Sequence, residues 1–232
     1  MRMGIFGRGR LALAVVKAAE AAGVQVLWAL GRNQEPPAEP RPDAALEASA
    51  AAAVEGRLRW ALKAGVPLVI GTTGWEPGLV ERVAGSSPPI GIMVAPNFSL
   101  GMAMTRRLAT VLGRYAALDP AADLSIYERH HRAKKDAPSG SAKLLAAALA
   151  EGGAEKSVAM ASLRGGSAVG YHECRLDTDG ESIALIHDAL DRGIFAKGAL
   201  GALAWIAGKR GLYRFDEYCA ELLDPLFTLN RS

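Results

Sequence analysis

Near its beginning the chain reads Met3-Gly4-Ile5-Phe6-Gly7-Arg8-Gly9-Arg10-Leu11-Ala12. A short apolar run ends at Gly7, and an alanine-rich stretch with helical spacing follows until about Gly23. Glycines between a strand and a helix allow a tight turn and let backbone N–H groups approach a phosphate. The stretch predicts a strand–turn–helix unit that binds a nucleotide. Because Ala12 replaces the last glycine of the G-x-G-x-x-G pattern, an ordinary turn is the alternative.

The segments that follow alternate between strand-like and helix-like patterns. We predict strands at 24–30, 43–47, 67–70 and 90–94, and helices at about 50–64 and 76–84. Strands that alternate with helices at this spacing are typical of a parallel sheet with crossover helices. The first half of the chain is therefore predicted to be an α/β domain with a parallel sheet.

Beyond Pro96 the pattern changes. Helices are predicted at 99–117 and 139–149, with a strand at 123–127 between them. Three strand-like runs follow, at 157–163, 170–176 and 182–187. The connections between them contain Gly165-Gly166 and Asp177-Thr178-Asp179-Gly180, which are turn compositions suited to antiparallel hairpins. This pattern predicts a second, mixed α+β domain, after which the chain returns to helix at 195–207.

Composition excludes several classes of protein. The 232 residues contain no run of about 18 apolar residues that could span a membrane. The 27 basic and 24 acidic residues are spread along the chain, which argues against a nucleic-acid-binding arm. Cys174 and Cys219 have no metal-binding or disulfide-scaffold spacing. No apolar signal core precedes the first glycine turn, so we expect a cytoplasmic protein.

The residues after the second strand suggest which cofactor binds. An acidic residue there hydrogen-bonds the ribose of NAD, whereas an arginine accommodates the 2′-phosphate of NADP. The strand ends in Leu30-Gly31-Arg32, without a carboxylate. We predict that Arg32 binds a 2′-phosphate and that NADPH is preferred to NADH; the alternative is that Arg32 is a solvated loop charge. Arg8 and Arg10 could reach a pyrophosphate.

The most informative segment runs from Glu128 to Lys143 and reads ERHHRAKKDAPSGSAK. It places two adjacent histidines beside several cationic side chains. Ser139 is a plausible N-cap, and Gly140 leaves the amides of the helix start uncovered. Amides at a helix start beside Arg, Lys and His suit a small anion, most naturally a carboxylate.

Histidine is also the usual proton donor or acceptor near neutral pH, so His130 and His131 are candidates for acid–base chemistry. We predict no metal here. Adjacent histidines point apart on a strand, nearby positive charge opposes a cation, and no cysteine or acidic residue stands at a metal-binding spacing.

Several segments together resemble the dihydrodipicolinate reductase family. They are Gly71-Thr72-Thr73-Gly74, Ala95-Pro96-Asn97-Phe98-Ser99 with Gly101, Glu128 to Ala142, and Ser162-Leu163-Arg164-Gly165-Gly166 with Val169-Gly170 and His172. The string E-x-H-H-x-x-K-x-D-A-P-S-G-[ST]-A is highly specific. The order of the elements matches over nearly the whole chain.

The resemblance implies an NAD(P)H-dependent oxidoreductase of lysine and diaminopimelate biosynthesis, which reduces a cyclic imine dicarboxylate and is usually a homotetramer. It implies a Rossmann domain at 1–97 plus 193–232 and a substrate-binding and oligomerisation domain with an open-faced sheet at 98–192.

The resemblance also implies roles for individual residues. His130 and Lys134 would be the proton donors. The substrate would be bound by His131, Ser139, Gly140, Ser141 and Thr73. The cofactor would be bound by Gly7, Arg8, Gly9, Arg10, Leu11, Arg32, Gly71, Thr72, Thr73, Ala95, Pro96, Asn97 and Phe98.

The departures from the family pattern fall in the cofactor half. The glycine turn is one residue shorter, Gly31 replaces the usual acidic residue, and the D-F-T-like segment reads Glu47-Ala48-Ser49. Two alternatives remain: another two-domain NAD(P)-dependent dehydrogenase of amino-acid metabolism, and a non-enzymatic nucleotide-sensing module.

Overall fold

A computed structural model describes residues 1–32, 34–152 and 157–228. It consists of two compact units, one made of residues 1–99 and 192–232 and the other of residues 100–191. No helix within these described ranges combines the length and the apolar character that crossing a bilayer requires.

In the first unit, helices follow the first, third and fourth strands along the chain, and the described residues between the second and third strands contain no helix. Its strands are β1 (Arg2–Phe6), β2 (Gln25–Leu30), β3 (Ala44–Glu47), β4 (Leu68–Ile70) and β5 (Gly91–Val94). Its helices are α1 (Arg10–Ala21), α2 (Val54–Ala64), preceded by a 3₁₀ turn at Ala51–Ala53, and α3 (Leu79–Ala84).

The five strands and a sixth, β10 (Gly211–Arg214), form one parallel sheet in the order β10-β5-β4-β3-β1-β2. The predicted α/β class is confirmed. Strand β10 was not predicted, because Gly211-Leu212-Tyr213-Arg214 is short and has no clear alternation of apolar and polar residues.

The core of this sheet is built from strand residues that are buried on both faces. Phe6 is 1% exposed, and its ring contacts Trp28 and Trp60 at centroid distances of 4.8 and 5.0 Å. Buried parallel strands carry continuous apolar runs, as Leu68–Ile70 does, instead of an alternating pattern. This core fixes the carboxyl ends of the strands, where ligands bind in such sheets.

The second unit contains helices α4 (Leu100–Ala116) and α5 (Gly140–Glu151) and the strands β6 (Asp123–His130), β7 (Val158–Arg164), β8 (Gly170–Asp177) and β9 (Ser182–Ala189). After it the chain returns to the first unit with α6 (Gly193–Ile206), β10, α7 (Phe215–Leu223) and a 3₁₀ turn at Asp224–Phe227.

The sheet of the second unit has the order β7-β6-β8-β9. The hairpin predicted at Gly165-Gly166 is wrong, because β6 lies between β7 and β8 and pairs in parallel with β7. The second predicted hairpin, between β8 and β9, is correct. Turn composition indicates that a chain reverses, but it does not determine which strand becomes its neighbour.

Strand β6 is three residues longer than predicted and ends at His130. Its residues alternate between buried and exposed positions, with Leu124, Ile126, Glu128 and His130 on the buried face. The site residues Glu128 and His130 are therefore on a strand and not in a loop.

Candidate functional site

The glycine turn of the first unit leaves a helix start accessible. Gly7 has a φ of +123°, and a Cβ there would lie 2.2 Å from the carbonyl oxygen of Ala48, so only glycine fits this position. Gly9 is the N-cap of α1 and no side chain caps that helix. A Cβ at Gly9 would meet nothing within 4 Å. The N-terminus of α1 can therefore receive a phosphate without displacing a side chain.

A pocket of about 630 Å³ lies beside this turn. It is lined by four of the predicted cofactor residues, Gly7, Arg8, Gly9 and Arg32. It is also lined by residues that were not predicted, which are Phe6, Leu30, Gly31, Glu35, Ser49, Ala50, Ala52, Ala53, Gly56 and Arg57. Its size suits part of a nucleotide, and its arginines suit anionic groups.

Glu47 connects the ends of β3 and β4. Its carboxylate is fully buried, and its Oε1 accepts hydrogen bonds from the backbone N–H and hydroxyl of Ser49 and from the hydroxyl of Thr72. Its backbone carbonyl accepts from the amides of Gly71 and Thr72. This one residue thus fixes both strand ends, where the family pattern has its D-F-T-like segment.

The remaining predicted cofactor residues do not line the pocket. Gly71 lies against Phe98 and Leu11, because a Cβ on it would approach their side chains to 2.7 and 3.4 Å. Thr73 is exposed and lies in this first unit, apart in the chain from the other predicted substrate residues. The others are Arg10 at the start of α1, Thr72 after β4, and Ala95, Pro96 and Asn97 after β5.

The acid–base candidates lie in the second unit, at the end of β6. Glu128 and His130 are two residues apart on this strand and both face its buried side, with exposures of 0% and 7%. The Nδ1 atom of His130 lies 3.3 Å from Oε2 of Glu128, although no hydrogen bond forms between them. His172 on β8 faces Glu128, with its Nε2 atom 3.7 Å from Oε2.

The other carboxylate oxygen of Glu128 accepts several hydrogen bonds. They come from the amide of Ser139 at 2.9 Å, the hydroxyl of Ser162 at 2.7 Å and the guanidinium of Arg164 at 2.7 Å. Burial opposes the negative charge most strongly, but the hydrogen bonds from Ser139, Arg164 and Ser162 together outweigh it and hold the pKa of Glu128 at about 2. Glu128 is therefore ionised at neutral pH.

The pKa values of both histidines are lowered, although the carboxylate of Glu128 acts to raise each of them. Burial lowers the pKa of His130 below its ordinary value of 6.5, while Glu128 opposes that shift and Lys134 and Arg164 reinforce it. Burial, with the charge of His130, lowers the pKa of His172 to about 4. His172 is neutral at neutral pH, whereas His130 keeps a carboxylate beside it that stabilises its protonated form.

Ser139 connects this cluster to the N-terminus of α5. It is the N-cap of that helix, and its hydroxyl accepts a hydrogen bond from the amide of Ala142. The same hydroxyl lies 3.3 Å from Nε2 of His172. A Cβ at Gly140 would meet nothing within 4 Å, so the backbone of the first turn is open on that side. Gly140 and Ser141 can present their amides to a carboxylate.

Lys134 and His131 lie in the loop between β6 and α5. The Nζ atom of Lys134 is 2.8 Å from Asp136, and its side chain is 24% exposed. Arg164 binds the carbonyl oxygen of Asp136 at 2.6 Å and so ties this loop to Glu128. His131 is half-buried, and its carbonyl oxygen accepts from the amide of Lys134.

Glu128, His130 and His172 place three potential metal-ligand atoms within 4.8 Å of one another. The sequence predicted no acidic residue at a metal-binding spacing from the histidines, but the structure places Glu128 beside them. Arg164 occupies one oxygen of Glu128, and its positive charge disfavours a cation there. The prediction that this site holds no metal stays a prediction.

Three residues of this cluster were missed as site residues: Glu128, Arg164 and His172. Glu128 could have been found, because the two-residue period of a strand puts it on the same face as His130. Arg164 and His172 join the cluster only through the pairing of β6 with β7 and β8. The local sequence does not specify that pairing.

Comparison with protein families gives two matches that together cover most of the chain. The profile described as "Dihydrodipicolinate reductase, N-terminus" matches residues 35–98, and the one described as "Dihydrodipicolinate reductase, C-terminus" matches residues 99–218. The glycine turn lies outside the matched residues, whereas the whole second unit lies inside them.

Individual proteins agree with these matches. The 4-hydroxy-tetrahydrodipicolinate reductase of Acidiphilium cryptum is 35% identical, over 90% of this chain and 93% of its own length. The enzyme of the same name from Zymomonas mobilis is 34% identical, over 94% and 96%. A dipicolinate-bound dihydrodipicolinate reductase from Paenisporosarcina sp. TG-14 has a similar fold, with a TM-score of 0.77, 21% identity and coverage of 94% of this chain and 98% of that one.

Proposed function

This chain belongs to the dihydrodipicolinate reductase family, and we propose that it reduces 4-hydroxy-tetrahydrodipicolinate to tetrahydrodipicolinate with NAD(P)H in lysine and diaminopimelate biosynthesis. The observation that carries the proposal is in the second unit. There, Glu128 contacts the acid–base candidate His130 and the amide of Ser139, which begins an open helix N-terminus.

The substrate is a cyclic imine with two carboxylates. This chain has groups that can bind the carboxylates and groups that can donate a proton to the ring. The amides of Gly140 and Ser141 at the start of α5 would bind one carboxylate, with Ser139 fixing the first turn. Lys134 would form an ion pair with a carboxylate of the substrate, which would replace its ion pair with Asp136. His131 would contribute to substrate binding from the same loop.

After water is lost, the reduction needs a hydride at C4 of the ring and one proton. A reduced nicotinamide supplies the hydride when it is bound. His130 would donate the proton to the ring: burial lowers its pKa, but the carboxylate of Glu128 opposes that shift and a dianionic substrate would favour the protonated form further. Lys134 is proposed as the second proton donor in the preceding loss of water: it would protonate the 4-hydroxyl as that group leaves and recover a proton from the ring carbon between C4 and the imine carbon.

The first unit would hold the cofactor. Three features of this unit suit a dinucleotide: the uncapped start of α1, the conformation of Gly7 and the arginine-lined pocket. We propose that NADPH is preferred to NADH, because Arg32 lines this pocket and no acidic residue stands at Gly31. Gly71–Thr73 and Ala95–Phe98 are proposed to contact the nicotinamide half.

We also propose that the enzyme is a cytoplasmic homotetramer. The support for the oligomer is the uncovered face of the β7-β6-β8-β9 sheet, which exposes Tyr127, Leu163 and Ile186 by 38%, 49% and 53%. Several large exposed apolar side chains on one sheet face are typical of an interface.

An assay that couples the protein to the synthase that produces the substrate tests the reaction with each cofactor. We expect His130→Gln and Lys134→Ala to lower turnover by about 10²-fold or more, as the loss of general acid catalysis does. Lys135→Ala is the matched control, because Lys135 is an exposed neighbour in the same loop. Full activity in both of the first two variants would contradict the assignment.

The competing hypothesis of a nucleotide sensor predicts a different result. A sensor has no reason to bind pyridine-2,6-dicarboxylate, whereas a reductase would bind it at the start of α5 in competition with substrate. Calorimetric titration of the wild type with this compound, repeated with Ser141→Pro to remove one helix-start amide, separates the two.

A further inference from the structure

The pocket of the first unit contains one carboxylate, and it is not at the position where a dinucleotide site usually has it. The amide of Gly31 donates to Oε1 of Gln34 at 2.6 Å, and a Cβ at Gly31 would lie 3.3 Å from that oxygen and 3.7 Å from Cδ of Arg8. A longer side chain would therefore crowd both neighbours. Of the residues that line the pocket, Glu35 is the one acid, and three are arginines, at positions 8, 32 and 57.

Arg57 is the most constrained of these arginines. Its guanidinium carbon lies 4.5 Å from the centre of the Phe6 ring, and its side chain is 13% exposed. Nη2 donates to the carbonyl oxygen of Gln34 at 3.0 Å, and Nη1 lies 3.4 Å from Oε1 of Glu35. Arg57 thus reaches from α2 to the segment that follows β2, where the 2′ position of an adenosine ribose lies in a dinucleotide site.

The partner of Arg57 is held far more loosely. The side chain of Glu35 is 78% exposed, and an ion pair with such an exposed partner contributes little. A phosphate monoester carries nearly two negative charges at neutral pH and can accept two parallel hydrogen bonds from a guanidinium. It would therefore displace Glu35 from Arg57 at small cost.

We propose that Arg57 binds the 2′-phosphate of NADPH together with Arg32, and that Glu35 forms an ion pair with Arg57 when no phosphate is present. This assignment rests on the proposed function and adds the residues that set cofactor choice. Because Arg57 is already ordered against Phe6, it loses less conformational freedom on binding than the exposed Arg32. Glu35 limits the preference for NADPH by competing for the same guanidinium.

The direct test is calorimetric titration of the whole chain with 2′,5′-ADP and with 5′-AMP, which differ only in the 2′-phosphate. We expect Arg57→Gln to weaken the binding of 2′,5′-ADP by about tenfold or more, the usual effect of losing a hydrogen-bonded charge pair, and to leave the binding of 5′-AMP within about twofold. Glu35→Gln is expected to tighten the binding of 2′,5′-ADP only. Arg59→Gln is the matched control, because Arg59 is on the same helix, pairs with Glu55 and does not line the pocket.

Equal weakening of both nucleotides by Arg57→Gln, or no change in either, would overturn the assignment of Arg57. Weaker binding of 2′,5′-ADP in Glu35→Gln would overturn the role of Glu35. Arg57→Lys keeps the charge and the apolar stem, so it tests the assignment if the glutamine variant does not fold, and an intermediate loss is expected. If the wild type binds neither nucleotide, the proposed function is contradicted as well. If the wild type binds both and the variants do not behave as expected, only the roles of Arg57 and Glu35 are contradicted.

Discussion

Glu128 is ionised although it is completely buried, because Ser139, Ser162 and Arg164 donate to the same carboxylate oxygen. Its other oxygen has no hydrogen-bond partner among the described residues and faces His130 and His172. A buried carboxylate with one unsatisfied oxygen is costly unless a charge beside it changes during function. Protonation of His130 provides such a charge, so the arrangement suits a proton donor that is reprotonated between turnovers.

Replacing Glu128 with Gln tests this electrostatic role. The variant keeps the size of the side chain and an oxygen that can accept from Ser139, but it removes the charge that raises the pKa of His130. The pKa of His130 should fall, and the descending limb of kcat/KM should move to lower pH, because the proton donor is lost at lower pH. A pH–rate profile measures this shift.

The control for that experiment is Ser162→Ala. Ser162 donates to Glu128 at 2.7 Å, so this variant removes one hydrogen bond and keeps the charge. Its profile should change less than that of Glu128→Gln. Identical profiles in the wild type and Glu128→Gln would show that Glu128 has only a structural role.

Sequence reasoning found the residues that a local motif specifies and missed those that the sheet brings in. His130, Lys134 and Ser139 are within ten residues of one another, and their types alone indicate proton transfer and a helix start. Arg164 and His172 lie 34 and 42 residues beyond His130 in the chain. They reach Glu128 only because β7 and β8 flank β6 in a particular register.

Helix α5 depends on Ser139 at its start. The hydroxyl of Ser139 accepts from the amide of Ala142, and acidic residues that could favour the helix dipole are absent from the first turn. Ser139→Ala should lower the free energy of unfolding by about 0.5–2 kcal/mol, the usual effect of losing an N-cap. Urea denaturation followed by circular dichroism measures this loss.

The same variant should raise the KM for the dicarboxylate more than it changes kcat, because the start of α5 would be less ordered. Ser141→Ala is the control for stability. It lies inside the helix, where alanine is at least as favourable as serine. A stability loss as large in Ser141→Ala as in Ser139→Ala would count against the capping explanation.

At the level of elements, the parallel sheet and the presence of a second, mixed sheet were predictable, but the strand order of the mixed sheet was not. Helical segments follow β1, β3 and β4, and a parallel strand needs a crossover connection, so this pattern indicates the architecture. Strands β7, β8 and β9 follow one another without helices, which allows several pairings. The insertion of β6 between β7 and β8 is a tertiary choice that turn residues do not encode.

Across the whole molecule, the two units should respond differently to acid. All four histidines, at positions 130, 131, 172 and 187, lie in the second unit. The pKa of His172 is about 4 in the folded protein and 6.5 ordinarily, so the unfolded chain binds its proton first. Stability from this residue is complete above pH 6.5 and is lost as the pH falls to about 4.

Glu128 adds a second window at lower pH. Its folded pKa of about 2 lies below its ordinary 4.5, so the stability that it contributes is present above pH 4.5 and is lost as the pH falls towards 2. Hydrogen exchange between pH 7 and pH 4, corrected for intrinsic rates, covers the window of His172 and should show loss of protection in β6 and β8 before β1 and β3. Equal loss in both units would contradict this prediction. His172→Asn should weaken the difference.

The sheet of the second unit should also determine the oligomeric state. Helix α4 contacts β6, β8 and β9 on one face, while the opposite face exposes Tyr127, Leu163 and Ile186. Ile186→Lys would place a charge on this face, on the edge strand β9. We expect this variant to dissociate in light scattering coupled to size-exclusion chromatography, because removing a lysine from water at an interface is costly. Leu118→Lys is the control: Leu118 is 79% exposed but lies after α4, away from the sheet. If Ile186→Lys keeps the wild-type mass, or if both variants dissociate equally, the open face is not the interface.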